Sequence, residues 1–118
     1  MAPNMADENL TIESLSGRSG QRILKITGPL VLSNFFEFQR VLREDTSPAL
    51  ILDFTNVPYI DSAAIGALMM AFVHRSKDER SMLLVGVCPR VRTALQVTKV
   101  ERFFEFADRI PEASAAGA

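Results

Sequence analysis

Ala49-Leu50-Ile51-Leu52-Asp53-Phe54 is a nearly continuous apolar run. Such a run predicts a central strand covered on both faces, rather than a half-buried strand that alternates. Both flanks supply helical patterns. Upstream, Ser33 or Asn34 can cap a helix to about Arg43, with Phe35, Phe38, Val41 and Leu42 facing inward. Downstream, a loop containing Pro58 leads to a helix from Asp61-Ser62 to about Lys77. Its Ile65, Leu68, Met69, Phe72 and Val73 follow the spacing of a buried stripe.

The same alternation continues on either side. Leu10-Thr11-Ile12-Glu13-Ser14-Leu15 and Arg22-Ile23-Leu24-Lys25-Ile26-Thr27 are strand patterns around the turn cluster Ser16-Gly17-Arg18-Ser19-Gly20, so they predict a hairpin. Met82-Leu83-Leu84-Val85-Gly86-Val87 is a further buried strand. Pro89 opens a third helix to about Thr98, with Val91, Leu95 and Val97 inward. Phe103-Phe104-Glu105-Phe106 is an edge strand, and a helical turn follows from Asp108 to Glu112. The order β-β-α-β-α-β-α-β predicts one α/β domain: a mixed sheet with an N-terminal hairpin, parallel βα units and helices packed against the sheet. The domain is expected over residues 8–112, with flexible tails at 1–7 and 113–118.

With 118 residues and a net charge of −1, the chain fits one domain and lacks the cationic surplus of non-specific nucleic-acid binding. No apolar run approaches the roughly 20 residues of a membrane span, and the polar start Met1 to Glu8 does not read as a signal peptide. A cytoplasmic location is expected. Cys88 is the only cysteine and His74 the only histidine, which excludes an intrachain disulfide and argues against a zinc site.

Catalytic patterns are sparse, and no enzyme activity, cofactor or metal is expected. Neither G-x-x-x-x-G-K nor G-x-G-x-x-G is present. Ser62 opens a helix after a strand, but a nucleophile elbow would need glycines where Ile60 and Ala64 stand. His74 is twelve residues further along that helix, about 18 Å at roughly 1.5 Å per residue, and cannot serve Ser62 as a base. His74 reads instead as a surface residue. Asp53 and Asp61 flank one loop, either as strand-end and helix caps, which is preferred, or as an acid/base or metal pair. Phe35, Phe38, Phe54, Phe72, Phe103, Phe104 and Phe106 read as core, with Phe36 or Phe106 partly exposed. Arg90 and Arg92, at the unfavourable end of a helix dipole, read as solvated surface or as a small anion contact.

There remains Tyr59-Ile60-Asp61-Ser62-Ala63-Ala64-Ile65-Gly66. Ser62 is either the cap of the helix or a functional hydroxyl at its positive end. Gly66 costs roughly 1 kcal/mol relative to alanine, which suggests the close approach of another backbone or of a partner.

These residues resemble the STAS domain family of anti-sigma factor antagonists, whose pattern here is an apolar strand, a short loop and then D-S-[ST]-[GA]-[LI]-G. Ile26-Thr27-Gly28-Pro29-Leu30 is similar to the family's L-x-G-x-L. Leu84-Val85-Gly86-Val87 with Pro89-Arg90-Val91 and Leu95 is similar to its later strand and helix. The resemblance implies an antagonist that binds an anti-sigma factor with serine kinase activity in a partner-switching pathway. That factor phosphorylates Ser62 and a phosphatase resets it, which regulates sigma-factor-dependent transcription. The implied contact residues are Asp61, Ser62, Ala63, Ala64 and Gly66. Ala63 and Ala64 depart from the Ser or Thr and Gly often found there, so a second hydroxyl is missing. The alternative within the family is a non-phosphorylated structural subunit of a lipid-transport ATPase or another signalling assembly.

Overall fold

The computed structural model describes residues 9–110. The expected tails, 1–7 and 113–118, and the expected domain limits, 8 and 112, lie outside the described residues. Five strands form one sheet in chain order: β1 Thr11–Ser16, β2 Gln21–Thr27, β3 Ala49–Asn56, β4 Ser81–Val85 and β5 Glu105–Ala107. β1 and β2 pair antiparallel as the predicted hairpin, and the three remaining pairs are parallel. The helices are α1 Phe35–Glu44, α2 Ser62–Lys77 and α3 Pro89–Val97. The predicted single domain and mixed sheet are therefore present.

Each parallel crossover steps one strand in the same direction. Right-handed connections of that kind place their helices on a single face of the sheet. Leu24, Leu52 and Leu84 lie in register across that face, each at most 1% exposed. Burying each leucine contributes about 1.5–3 kcal/mol. Phe38 and Leu42 of α1, Leu68 of α2, and Val91 and Leu95 of α3 belong to the same cluster. Ile51 and Val85 point to the other face and stand outside it, though both are buried. β3 is thus buried on both faces, as expected, with the helices on one of them. Ile51 lies in register between Ile23 and Leu83 on the other face.

Four local expectations change. The inner face of α2 carries Ala64, Ile65, Ala67, Leu68, Ala71 and Arg75, while Val73, predicted inward, is exposed. Small side chains let the helix lie close to its neighbours, so its buried face is turned from the large-residue stripe. Val97, also predicted inward, is 73% exposed at the last turn of α3. Around the predicted edge strand the chain makes a 3-10 turn, Glu101–Phe103, before β5. Phe104 is buried there and Phe103 is exposed, both with their rings 5.8 Å from that of Phe72. Asp108 to Ile110 form bends rather than a helical turn, and the rest of that expected turn lies outside the described residues.

Candidate functional site

The loops after β2 and β3 meet at the carboxyl ends of the parallel strands, where open α/β sheets place their sites. Leu30 and Ile60 form an isolated parallel bridge. The Leu30 amide donates to the Tyr59 carbonyl at 3.1 Å, and the Asp61 amide donates to the Leu30 carbonyl at 3.1 Å. Asn34 precedes α1 as expected, but its side chain does not cap it. Its Oδ1 accepts from the Val31 amide and its Nδ2 donates to the Pro29 carbonyl, both at 3.0 Å, which stiffens the loop.

Asp61 is the cap of α2. Its Oδ1 accepts from the amides of Ala63 at 3.0 Å and Ala64 at 3.2 Å, and its Oδ2 accepts from the Leu32 amide at 2.8 Å. One carboxylate thus satisfies two first-turn donors and ties the neighbouring loop to the helix. Ser62 is therefore not the cap. It is the first helical residue, exposed, and its hydroxyl has no hydrogen-bond partner among the described residues.

The expected contact residues divide by exposure. Ser62 and Gly66 are exposed, Asp61 and Ala63 are half-buried, and Ala64 is fully buried. Ala64 therefore lies beneath the surface that Ser62 and Gly66 share. The suggested close approach at Gly66 is not made within the described chain, because a Cβ added there meets nothing within 4 Å. Further along α2, Met70 and Val73 are exposed.

The loop tied to this helix start and the first turn of α1 carry two exposed apolar side chains that sequence reasoning did not assign to the site. Leu32 is 62% exposed and Phe36 is 64% exposed. Their signal was the apolar pair lying outside the inward pattern of α1. Across the same end, Cys88 Sγ lies 3.5 Å from the Pro58 carbonyl, and the Arg90 guanidinium sits 4.6 Å above the Tyr59 ring. Gly86, at φ +70°, ends β4 where a Cβ would meet Thr55 Oγ1 at 2.3 Å. Only a residue without a side chain lets these two strand ends run so close.

The other chemical candidates resolve into local structure. Asp53 Oδ1 accepts from the Thr55 amide at 3.0 Å and its hydroxyl at 2.6 Å, while Asp61 is occupied as described. No group of three or more His, Cys, Asp or Glu is placed to hold a metal among the described residues. Arg92 pairs with Glu101 and lies 3.7 Å above the Phe106 ring. The hydrogen bond from Arg92 holds the Glu101 carboxyl below its ordinary range. His74 is exposed. No described helix is long and apolar enough to cross a membrane.

A model of the STAS domain family matches residues 14–113. The fold is similar to that of an anti-sigma factor antagonist from Mycobacterium paratuberculosis, with a TM-score of 0.78 and 18% identity over 89% of this chain and 91% of that one. It is also similar to the phosphorylated form of SpoIIAA, a cell fate determinant from Bacillus, with a TM-score of 0.65 and 12% identity over 82% and 91%. A sulfate transporter family protein from Wolinella succinogenes is 28% identical over 81% of this chain and 83% of that one, with a TM-score of 0.65.

Proposed function

The chain belongs to the STAS domain family, and we propose that it acts there as an anti-sigma factor antagonist controlled by phosphorylation of Ser62. Its partner is an anti-sigma factor with serine kinase activity, bound at the start of α2. A phosphatase restores the binding form, and the exchange regulates sigma-factor-dependent transcription in the cytoplasm. The observation that carries this reading is the division of labour between Asp61 and Ser62. Asp61 performs the capping, which leaves the Ser62 hydroxyl exposed and unbonded.

The physical consequences favour a switch of partner over a change of fold. A phosphate adds about −1.5 to −2 charge at the positive end of a helix, where backbone amides tolerate it. The adjacent Asp61 carboxylate already accepts three amide donors, so it cannot move to relieve the new repulsion without uncapping α2. A surface complementary to a neutral hydroxyl would meet a dianion and its desolvation cost. Leu32, on the loop that Asp61 ties to this helix, is exposed, as are Phe36 in the first turn of α1 and Gly66 one turn along α2, and exposed apolar area is the kind of ground on which a protein partner docks.

The likeness to a sulfate transporter family protein supports a second reading, a STAS subunit held in a larger assembly without phosphorylation. One experiment separates the two. Incubation with ATP and the cognate anti-sigma kinase is expected to add a single phosphate, lost in Ser62→Ala, and the phosphorylated chain is expected to leave the kinase. Equal kinase binding before and after phosphorylation, or no incorporation at all, overturns the first reading. Stable copurification with a transporter regardless of Ser62 establishes the second.

A further inference from the structure

Gln39 to Arg43 of α1 and Ala67 to Arg75 of α2 line an open cleft of about 280 Å³ that runs away from Ser62. At ~30 Å³ per water that is room for about nine waters, enough for a small charged head and a short chain. Leu42 and Met70 give it an apolar wall, whereas Arg43, His74, Arg75 and Arg80 give it four basic side chains. No carboxylate lines it, in a chain whose net charge is −1.

The basic groups differ in what they have left to offer. Arg75 is 2% exposed and fully engaged: it donates to Asp45 Oδ2 at 3.0 Å, to the Ser47 carbonyl at 2.8 Å and to the Ser81 carbonyl at 3.0 Å. Asp45 is shared further, with Arg22 at 3.6 Å and, through its carbonyl, with Arg80 at 3.0 Å. One buried carboxylate therefore balances two cations, Arg75 and Arg22. Arg80 reaches Asp78 at the surface, but its Nε is buried with no acceptor. A buried donor left in that condition is uncommon, because desolvation is then uncompensated. Arg43 and His74 are exposed at the rim and make no ion pair among the described residues.

We propose that this cleft binds a small amphipathic anion: a carboxylate or phosphate head at Arg43, His74 and Arg80, with a short aliphatic body along Leu42 and Met70. The exposed Arg43 and the unmet Nε of Arg80 select the charge, and the apolar wall selects the body. Apolar walls with a few convergent polar groups are the usual make-up of small-molecule sites. The head-group end at Arg43, His74 and Arg80 lies at the opposite end of α2 from Ser62, and neither reading depends on the other.

Titration of the full chain with octanoate, octyl phosphate, octanol and inorganic phosphate, followed by amide NMR shifts, tests this. Saturable shifts are expected from octanoate and octyl phosphate at residues 39–43 and 67–75, and the tighter of the two identifies the head group. Octanol and inorganic phosphate are expected to bind at least tenfold more weakly. Arg43→Glu with His74→Glu changes exposed side chains only, so the fold should persist while affinity falls at least tenfold. Octanol binding as well as octanoate, unchanged affinity in the double variant, or no saturable shift from either anion overturns the proposal.

Discussion

The Asp61 carboxylate and the Leu32 amide are 2.8 Å apart, and that bond fastens the loop after β2 to the start of α2. The same carboxylate caps the helix through Ala63 and Ala64. Asp61→Ala leaves three amides without their acceptor. The expected cost is about 2 kcal/mol, at the upper end of cap losses. Asp61→Asn keeps one carbonyl oxygen for the cap but has no second acceptor for Leu32, so about 1 kcal/mol is expected. Urea unfolding measures both, and an unchanged midpoint in Asp61→Ala would show that the cap carries no weight.

How far this arrangement was legible follows from the kind of signal each residue leaves. Strand order came from apolar runs such as the one around Leu52, and the hairpin from the turn at Ser19-Gly20, because both are local patterns. The face of α2 was not legible from its large residues, since that helix is apolar nearly all round. Its spacing of Ala64, Ala67 and Ala71, which marks the side that packs closely, was the better guide. The site motif placed Ser62 at a helix start but could not divide the cap between it and Asp61. That depends on a bond to Leu32, 29 residues away in sequence. The burial of Arg75 was invisible for the same reason, as its acceptors come from the loop after α1 and the first residue of β4.

Arg75 and Arg40 both form ion pairs, yet their removal is expected to differ severalfold. Arg40 pairs with Glu37 and Glu44 on the exposed side of α1, where solvent screening leaves such contacts little net weight. Arg75 and Asp45 are 3% and 8% exposed, and breaking a buried pair from one side costs about 3–5 kcal/mol. Arg75→Met is therefore expected to lower stability by about 3 kcal/mol or more, and Arg40→Ala to change it little. Arg75→Lys should recover only a small part, because an ammonium cannot match the guanidinium fork. Chemical denaturation of the three variants gives the comparison, and equal losses for Arg75→Met and Arg40→Ala would contradict it.

Glu101 carries the pH dependence of the contact between α3 and the 3-10 turn. Its hydrogen bond from Arg92 lowers its pKa from an ordinary value of 4.5. A carboxyl depressed in the folded state stabilises it above the unfolded value, and the contribution is lost as pH falls through the folded one. Carbon-detected titration of the side-chain carboxyl should give a midpoint below 4.5, and Arg92→Ala should move it upward. A midpoint that does not respond to Arg92→Ala would assign the shift to another cause.

Gly66 separates the demands of the fold from those of a partner. It lies inside α2, is exposed, and an added Cβ meets nothing within 4 Å. Nothing in the described chain therefore requires glycine, and a helix interior disfavours it by about 0.8–1.0 kcal/mol relative to alanine. Gly66→Ala is expected to raise stability by about 0.5–1 kcal/mol, read as a higher urea midpoint. Gly66 lies one turn along from Ser62, so the same methyl group would stand in the proposed interface and hold the partner away from the helix backbone. Binding to the anti-sigma factor is expected to fall severalfold even as the isolated domain gains stability. A gain in stability with unchanged binding would remove Gly66 from the contact surface. A loss of stability would mean that the fold itself requires glycine there, against the open space around its Cα.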